Sequence, residues 1–203
     1  MENVKSTKKI DVRRLVFSAL MGALSIVLAE FLKIKTPIDF IKLDFSDVPA
    51  LLASLTMGPV SGVFVCMIKN AWGCLTTSTG CVGELQNLIL SVSLVLPAGL
   101  LAHKSSSIKR AVFGSLAGSA IMAAVSFPAN YFIMYPVYTT VFKLPMEVII
   151  GIYQKVFPHV ETLADCLLVF NVPFVFVKGL IASVISVALY KKLRPVFNSV
   201  YRG

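Results

Sequence analysis

The sequence predicts an all-α integral membrane protein with six transmembrane helices and both termini cytoplasmic, and three observations carry that prediction. Hydrophobic residues make up 57% of the 203-residue chain against 14% charged, and the mean hydropathy is +0.83, far above that of a soluble domain. Several apolar runs approach the roughly 20 residues a helix needs to cross a bilayer, whereas barrel strands would alternate in segments of about 10. Twelve of the 19 Lys and Arg residues fall in three short clusters flanking such runs, at 5–14, 104–110 and 191–202. The positive-inside rule assigns all three to the cytoplasm. A net charge of +9 would suggest nucleic acid as the partner of a soluble chain; here the basic residues set topology, and no nucleic acid is expected.

The first span is Arg13 to Lys33. Its apolar stretch, Leu15 to Leu32, is longer than a signal-peptide core of about 7 to 15 residues, so it is read as retained. Ala19 and Ala23, with Ser18 and Gly22 beside them, form two small-x-x-x-small ladders that let another membrane helix approach closely. Either ladder serves internal packing or, if it faces outward, docks another subunit.

The second span, Ser46 to Met57, reaches only about 18 Å as helix. Without it, however, two basic clusters would fall outside, so charge placement favours six crossings. Asp44, Ser46 and Asp47 are capping residue types, Pro49 suits a first helical turn, and Gly58-Pro59 ends the helix in a tight turn. Spans three and four, Pro59 to Thr76 and Gly83 to Ala102, form a hairpin. It places Lys69 and Glu84 at similar depth, where pairing is expected, with Trp72 and Asn87 one turn away.

The fifth span is Arg110 to Tyr135. Phe127, Asn130, Tyr131 and Met134 follow helical i, i+3, i+4, i+7 spacing, so they share a face near the outer end, with Pro128 loosening the backbone. An amide at that depth needs a partner and offers a heterocycle both a donor and an acceptor. Of the outer connections Ile34 to Phe45, Thr77 to Val82 and Pro136 to Ala164, the third is long. Within it Pro145 to Val156 carries Met146, Ile149, Ile150 and Tyr153 at amphipathic spacing, a short helix lying over the outer mouth or on lipid headgroups.

The last span, Asp165 to Tyr190, has Lys178 in its middle with no other charge between those ends. A lysine at that depth costs a few kcal/mol unless it pairs, snorkels or serves a site. Seven residues back along the helix, Asn171 lies on nearly the same face about 10 Å away, with Phe174 and Val175 between. The stripe offers an amide, an aromatic face and an ammonium, a combination suited to a flat, polar-edged molecule.

No enzyme is expected and no catalytic residue is assigned. His103 and His159 fall on opposite membrane faces, so they share no site, and no Gly-rich nucleotide loop or His-Glu-x-x-His helix is present. Cys66, Cys74, Cys81 and Cys166 form no Cys-x-x-Cys pair, so neither metal nor resident cofactor is expected; Cys81 and Cys166 both sit near outer ends of spans. Powered transport would need a partner ATPase. No internal repeat or second domain is seen, so residues 1–203 read as one membrane domain with a basic tail (1–12) and a long outer loop (136–164).

Four motifs together resemble the riboflavin-specific S-components of energy-coupling factor (ECF) transporters: Leu43-Asp44-Phe45-Ser46-Asp47-Val48-Pro49-Ala50, Gly58-Pro59-Val60-Ser61-Gly62, Gly83-Glu84-Leu85-Gln86-Asn87 and Pro173-Phe174-Val175-Phe176-Val177-Lys178-Gly179. The resemblance spans essentially all six helices. It implies a bacterial cytoplasmic-membrane protein that captures riboflavin outside, with a coupling transmembrane subunit and two ATPase subunits driving release inside. It also implies that Ala19 and Ala23 dock the coupling subunit and that Lys178 and Asn130 meet the isoalloxazine edge. Family members commonly carry an asparagine one turn before the lysine. Here Phe174 and Val175 stand there, so either Asn171 substitutes from a turn further out or the ring is held differently. In this reading Trp72, Phe127, Tyr131 and Phe174 belong to the binding site, and Asp44, Asp47 and Glu84 are candidates to accept from ribityl hydroxyls, capping being the role expected for Asp47.

Every arginine lies in a segment assigned to the cytoplasm, so an outer pocket lacks the group best suited to phosphate, and an unphosphorylated vitamin fits better. The rivals are an S-component for another vitamin, an autonomous small-molecule transporter, which would show two repeated halves with broken helices, and a lipid-directed membrane enzyme, which would show clustered carboxylates or a nucleophile–base pair.

Overall fold

The computed structural model describes residues 12–32, 34–35, 42–77, 80–103 and 107–201. Lys5, Lys8, Lys9, Lys104 and Arg202 of the basic clusters, and residues 36–41 and 78–79 of the expected outer connections, lie outside the described residues. The helices are α1 (Val12–Phe31), α2 (Asp47–Met57), α3 (Pro59–Thr76), α4 (Val82–His103), α5 (Ile108–Pro128), α6 (Tyr135–Thr140), α7 (Met146–Gln154), α8 (Leu163–Cys166) and α9 (Val172–Tyr201). A small antiparallel pairing that the sequence did not suggest joins β1 (Ile34–Lys35) to β2 (Lys42–Leu43). Otherwise the regular structure among the described residues is helical. Among the described residues four helical stretches are long and apolar enough to cross a membrane: Val12–Phe31, Val82–Ala102, Ile108–Thr140 and Leu163–Leu193.

The 11-residue α2 is short because its length is not set by lipid. Ten of its residues are buried, so protein surrounds it on nearly every side. Gly58, at φ 106°, turns the chain into α3, and Pro59 occupies the first turn, where its missing N–H costs nothing. The two helices then run close enough that a Cβ on Gly62 would sit 3.0 Å from the Ala50 carbonyl. Around α2 the main apolar core gathers Leu51 and Leu55 with Val65, Leu94, Val95, Met122 and Val175 from the surrounding helices.

Two long helices are wound partly as π-helix, each time beside proline. Between α5 and α6, Ala129–Met134 adopt i→i+5 bonding, with the Tyr135 N–H donating to the Asn130 carbonyl. Pro128 and Pro136 flank the segment, and neither has an N–H for an α-helical bond. Between α8 and α9, Leu167–Asn171 do the same, ahead of Pro173. The fifth span therefore runs on through Pro136 to Thr140, past the Tyr135 end expected from sequence, and the last extends to Tyr201 beyond Tyr190.

The amphipathic segment forms α7 as expected. Ile149 and Tyr153 are fully buried in a second core with Met134, Tyr135, Tyr138, Cys166 and Leu167. The Tyr135 and Tyr153 hydroxyls meet at 2.5 Å, which ties α7 to α6. All four cysteines are free. Cys81 donates to the Cys74 carbonyl at 3.6 Å, and no disulfide joins it to Cys166.

Candidate functional site

A cavity of ≈ 690 Å³ opens at the end of the bundle that carries α7, within the range of pockets that enclose small organic molecules. Lining residues come from Ile26 and Ala29 of α1, Lys69 to Thr76 of α3, Gly83 to Leu90 of α4, Asn130 and Met134 of the first π segment, and Asn171 to Lys178 of the second π segment and α9. The exposed basic residues Arg13, Arg14, Lys109, Arg110, Lys191 and Lys192 stand at the other end.

The floor of the cavity is ionic. The Lys178 Nζ lies 3.0 Å from Asp44 Oδ2 and 3.5 Å from Asp47 Oδ2. Lys69 donates to Asp47 Oδ1 at 2.5 Å and to the Ser46 hydroxyl at 2.9 Å, and Ser91 adds a further bond to Asp47 Oδ1. Two carboxylates thus balance two ammonium groups, Lys69, Lys178 and Asp47 buried and Asp44 partly so, and the floor carries no net charge. The pairing expected between Lys69 and Glu84 is made instead with Asp47, because α2 buries its first turn against α3. For the same reason Asp47 does not cap its helix. Asp44 does act locally, accepting from the Ser46 N–H at 2.9 Å and from the Ser46 hydroxyl.

Above this floor the two π segments deliver two amides. Asn130, 2% exposed, donates to the Ser126 carbonyl at 2.6 Å and accepts from Gln86 Nε2 at 2.6 Å, which fixes the sense of its amide. Asn171 is 5% exposed and lines the cavity, yet among the described residues nothing hydrogen-bonds its side chain. A buried amide without a protein partner costs free energy unless a ligand or water completes it.

Of the residues singled out from sequence, Lys178, Asn130, Asn171, Glu84, Asp44, Trp72 and Phe174 all line this cavity. Phe127 and Tyr131 do not. They stack on each other, ring centroids 5.7 Å apart, and Tyr131 is exposed on the flank of the helix. Their expected face assumed α-helical spacing through residue 134; the i→i+5 winding that begins at Ala129 turns Tyr131 away from Asn130 and Met134. Lining residues that the reading passed over as contacts are Asn70, Gln86, Tyr135 and Tyr138. Gln86 lies inside one of the motifs already singled out, so its position was signalled; Asn70, one residue after Lys69, shares the buried face of α3.

The two ladders on α1 separate. Ser18 and Gly22 are buried, and a Cβ on Gly22 would lie 2.8 Å from Ile68 of α3. Ala19 and Ala23 are exposed, among Leu15, Val16, Leu20 and Leu24.

Comparison with known proteins places this geometry. Residues 13–190 match the family model for the ECF transporter substrate-specific component. The chain is 30% identical over 183 residues to the riboflavin transporter RibU of Staphylococcus aureus (strain TCH60), covering 89% of this chain and 90% of that protein. It is 30% identical over 196 residues to the riboflavin transporter FmnP of Bacillus subtilis (strain 168), covering 92% and 94%. Among solved structures, the S component of a bacterial ECF transporter superposes with a TM-score of 0.69 at 28% identity, over 91% of this chain and 97% of that one.

Proposed function

This chain belongs to the substrate-specific components of ECF transporters, multi-pass membrane proteins that are not enzymes, and from that membership we propose that it captures riboflavin in the cavity of α1 to α9 for uptake across the bacterial cytoplasmic membrane. The observation that carries the substrate is the convergence of Asn130, Asn171 and Lys178 on one cavity, with the Asn171 amide left for a ligand to complete. A tricyclic ring with a polar pyrimidine edge meets those groups: the ammonium donates to a ring carbonyl, and the amides match the donor–acceptor alternation of the imide. Phe174, stacked on Phe170 at 6.0 Å, supplies an aromatic face.

The cavity mouth faces outward. Exposed basic residues crowd the opposite end, and the positive-inside rule puts that end in the cytoplasm, giving six crossings by α1, α2, α3, α4, α5–α6 and α8–α9 with both termini inside. Release on the inner side is driven by a coupling transmembrane subunit and two ATPase subunits, and the exposed Ala19–Ala23 stripe is where the coupling subunit packs. The neutral floor favours an uncharged vitamin over its phosphate ester. Titration of the purified protein with riboflavin, read by quenching of flavin fluorescence, tests the assignment: saturable quenching at one site per chain is expected, and its absence ends the riboflavin reading.

A further inference from the structure

Two of the four thiols meet at the turn between α3 and α4. Cys74 stands in the last turn of α3 and Cys81 immediately before α4, so the hairpin that separates them in sequence brings them back together. The Cys81 thiol donates to the Cys74 carbonyl at 3.6 Å, and the Cys74 thiol hydrogen-bonds with that of Cys81. The surrounding backbone holds this arrangement. Cys81 takes φ 67°, a region that few residues other than glycine adopt, and its carbonyl accepts the Leu85 N–H at 2.9 Å to start α4. Beside the pair the two helices touch, since a Cβ on Gly73 would lie 2.9 Å from Glu84 Cγ.

The other two cysteines differ in access. Cys66 and Cys166 are buried, whereas Cys74 and Cys81 are half-buried, and their neighbours Gly73, Thr76, Thr77, Gly83 and Glu84 line the cavity. A solute that enters the mouth therefore reaches both thiols. A metal site would need more ligands, and among the described residues no group of three or more His, Cys, Asp or Glu gathers. Two adjacent, accessible thiols instead suit thiol–disulfide exchange. The topology proposed above puts this turn outside the cytoplasmic membrane, beyond the reductants that keep cytosolic thiols reduced.

We propose that Cys74 and Cys81 are a modification site, a dithiol that a small-molecule disulfide oxidises to a disulfide stapling α3 to α4 at the cavity mouth. One cysteine, as its thiolate, attacks a sulfur of the oxidant, breaks its S–S bond and releases half of it as a thiol. The second cysteine attacks the mixed disulfide and releases the other half. Two protein S–H bonds are lost and one protein S–S bond forms, while the oxidant is reduced to two thiols that take up the two protons. The product closes a short loop across the hairpin and fixes one wall of the cavity.

The test uses the purified full-length protein and oxidised glutathione, followed by denaturation, alkylation with N-ethylmaleimide, and intact-mass and peptide analysis. Reduced wild type should carry four maleimide adducts; after oxidation it should carry two, retain no glutathione, and yield peptides linked between Cys74 and Cys81. In Cys74→Ser or Cys81→Ser the remaining thiol of the pair has no neighbour to displace glutathione, so a retained glutathione is expected there. Oxidation should raise the thermal unfolding midpoint of wild type by several degrees and leave that of Cys74→Ser/Cys81→Ser unmoved. Four adducts after oxidation, glutathione retained on wild-type Cys74 or Cys81, or a link from Cys81 to Cys166 would overturn the site. A Cys74–Cys81 link that leaves the wild-type midpoint where it was would overturn the staple.

Discussion

Asp47 holds two lysines at once, and that makes it the most consequential single residue of the floor. Replacing it with asparagine leaves two buried ammonium groups facing one remaining carboxylate, Asp44. Breaking a buried pair in this way costs about 3–5 kcal/mol, so Asp47→Asn should lower the thermal unfolding midpoint of the detergent-solubilised protein sharply. The combined Asp47→Leu/Lys69→Met variant removes one charge of each sign and should recover part of the loss; an unshifted midpoint in the single variant contradicts the pairing. Asn171 gives the opposite signature. Among the described residues its side chain makes no bond that a mutation could break, so Asn171→Leu should leave the midpoint unchanged or raised while riboflavin binding weakens by about 1–3 kcal/mol. Loss of stability together with affinity would mark Asn171 as structural. Lys178 was legible in the sequence because a lone charge in an apolar run must be explained. Its partners were not, because pairing across 134 residues depends on how α2 is buried, and Asp44 and Asp47 carry the same local signal as helix caps.

At the scale of elements, hydrophobic runs located every long helix, since burial and bilayer length both demand apolar stretches of that size. The π segments escaped notice because three prolines signal only a missing N–H, and whether the chain kinks, breaks or rewinds is settled by packing. That uncertainty moved Phe127 and Tyr131 off the cavity while leaving Asn130 in it. The α4–α5 hairpin is fixed more rigidly. A Cβ at Gly114 would lie 2.9 Å from the Ala98 carbonyl, and one at Gly118 would be driven into the Leu94 carbonyl. Backbone of α4 cannot yield there as a flexible side chain would, so Gly118→Ala should cost about 1–3 kcal/mol through overpacking. Thermal unfolding measures it, and a variant as stable as wild type would mean that the two helices sit further apart. Because Gln86 of α4 orients Asn130, the same variant is expected to weaken riboflavin binding as well.

Across the whole molecule, the function proposed above puts capture and energy coupling on different surfaces. The cavity gathers at one end among α3, α4, α9 and the π segments, while Ala19 and Ala23 lie on the outward face of α1, which lends only Ile26, Ala29 and Glu30 to the cavity. The buried Ser18–Gly22 ladder sits beside that stripe and packs against Ile68, so one set of small residues seats α1 in the bundle while the other stays exposed. This division has a consequence for mutants. Ala19→Leu/Ala23→Leu enlarges side chains that are exposed and away from the cavity lining, so riboflavin titration of the isolated protein should match wild type. A close helix–helix contact, however, tolerates no such bulk in either ladder position. Co-expression with the coupling and ATPase subunits should therefore recover much less of the complex from the double variant, and riboflavin uptake should fall in proportion. The control is Ser18→Leu/Gly22→Leu, which should impair folding and binding together by forcing α1 from α3. Equal recovery of the complex with and without the Ala19 and Ala23 changes would place the docking surface elsewhere on the molecule.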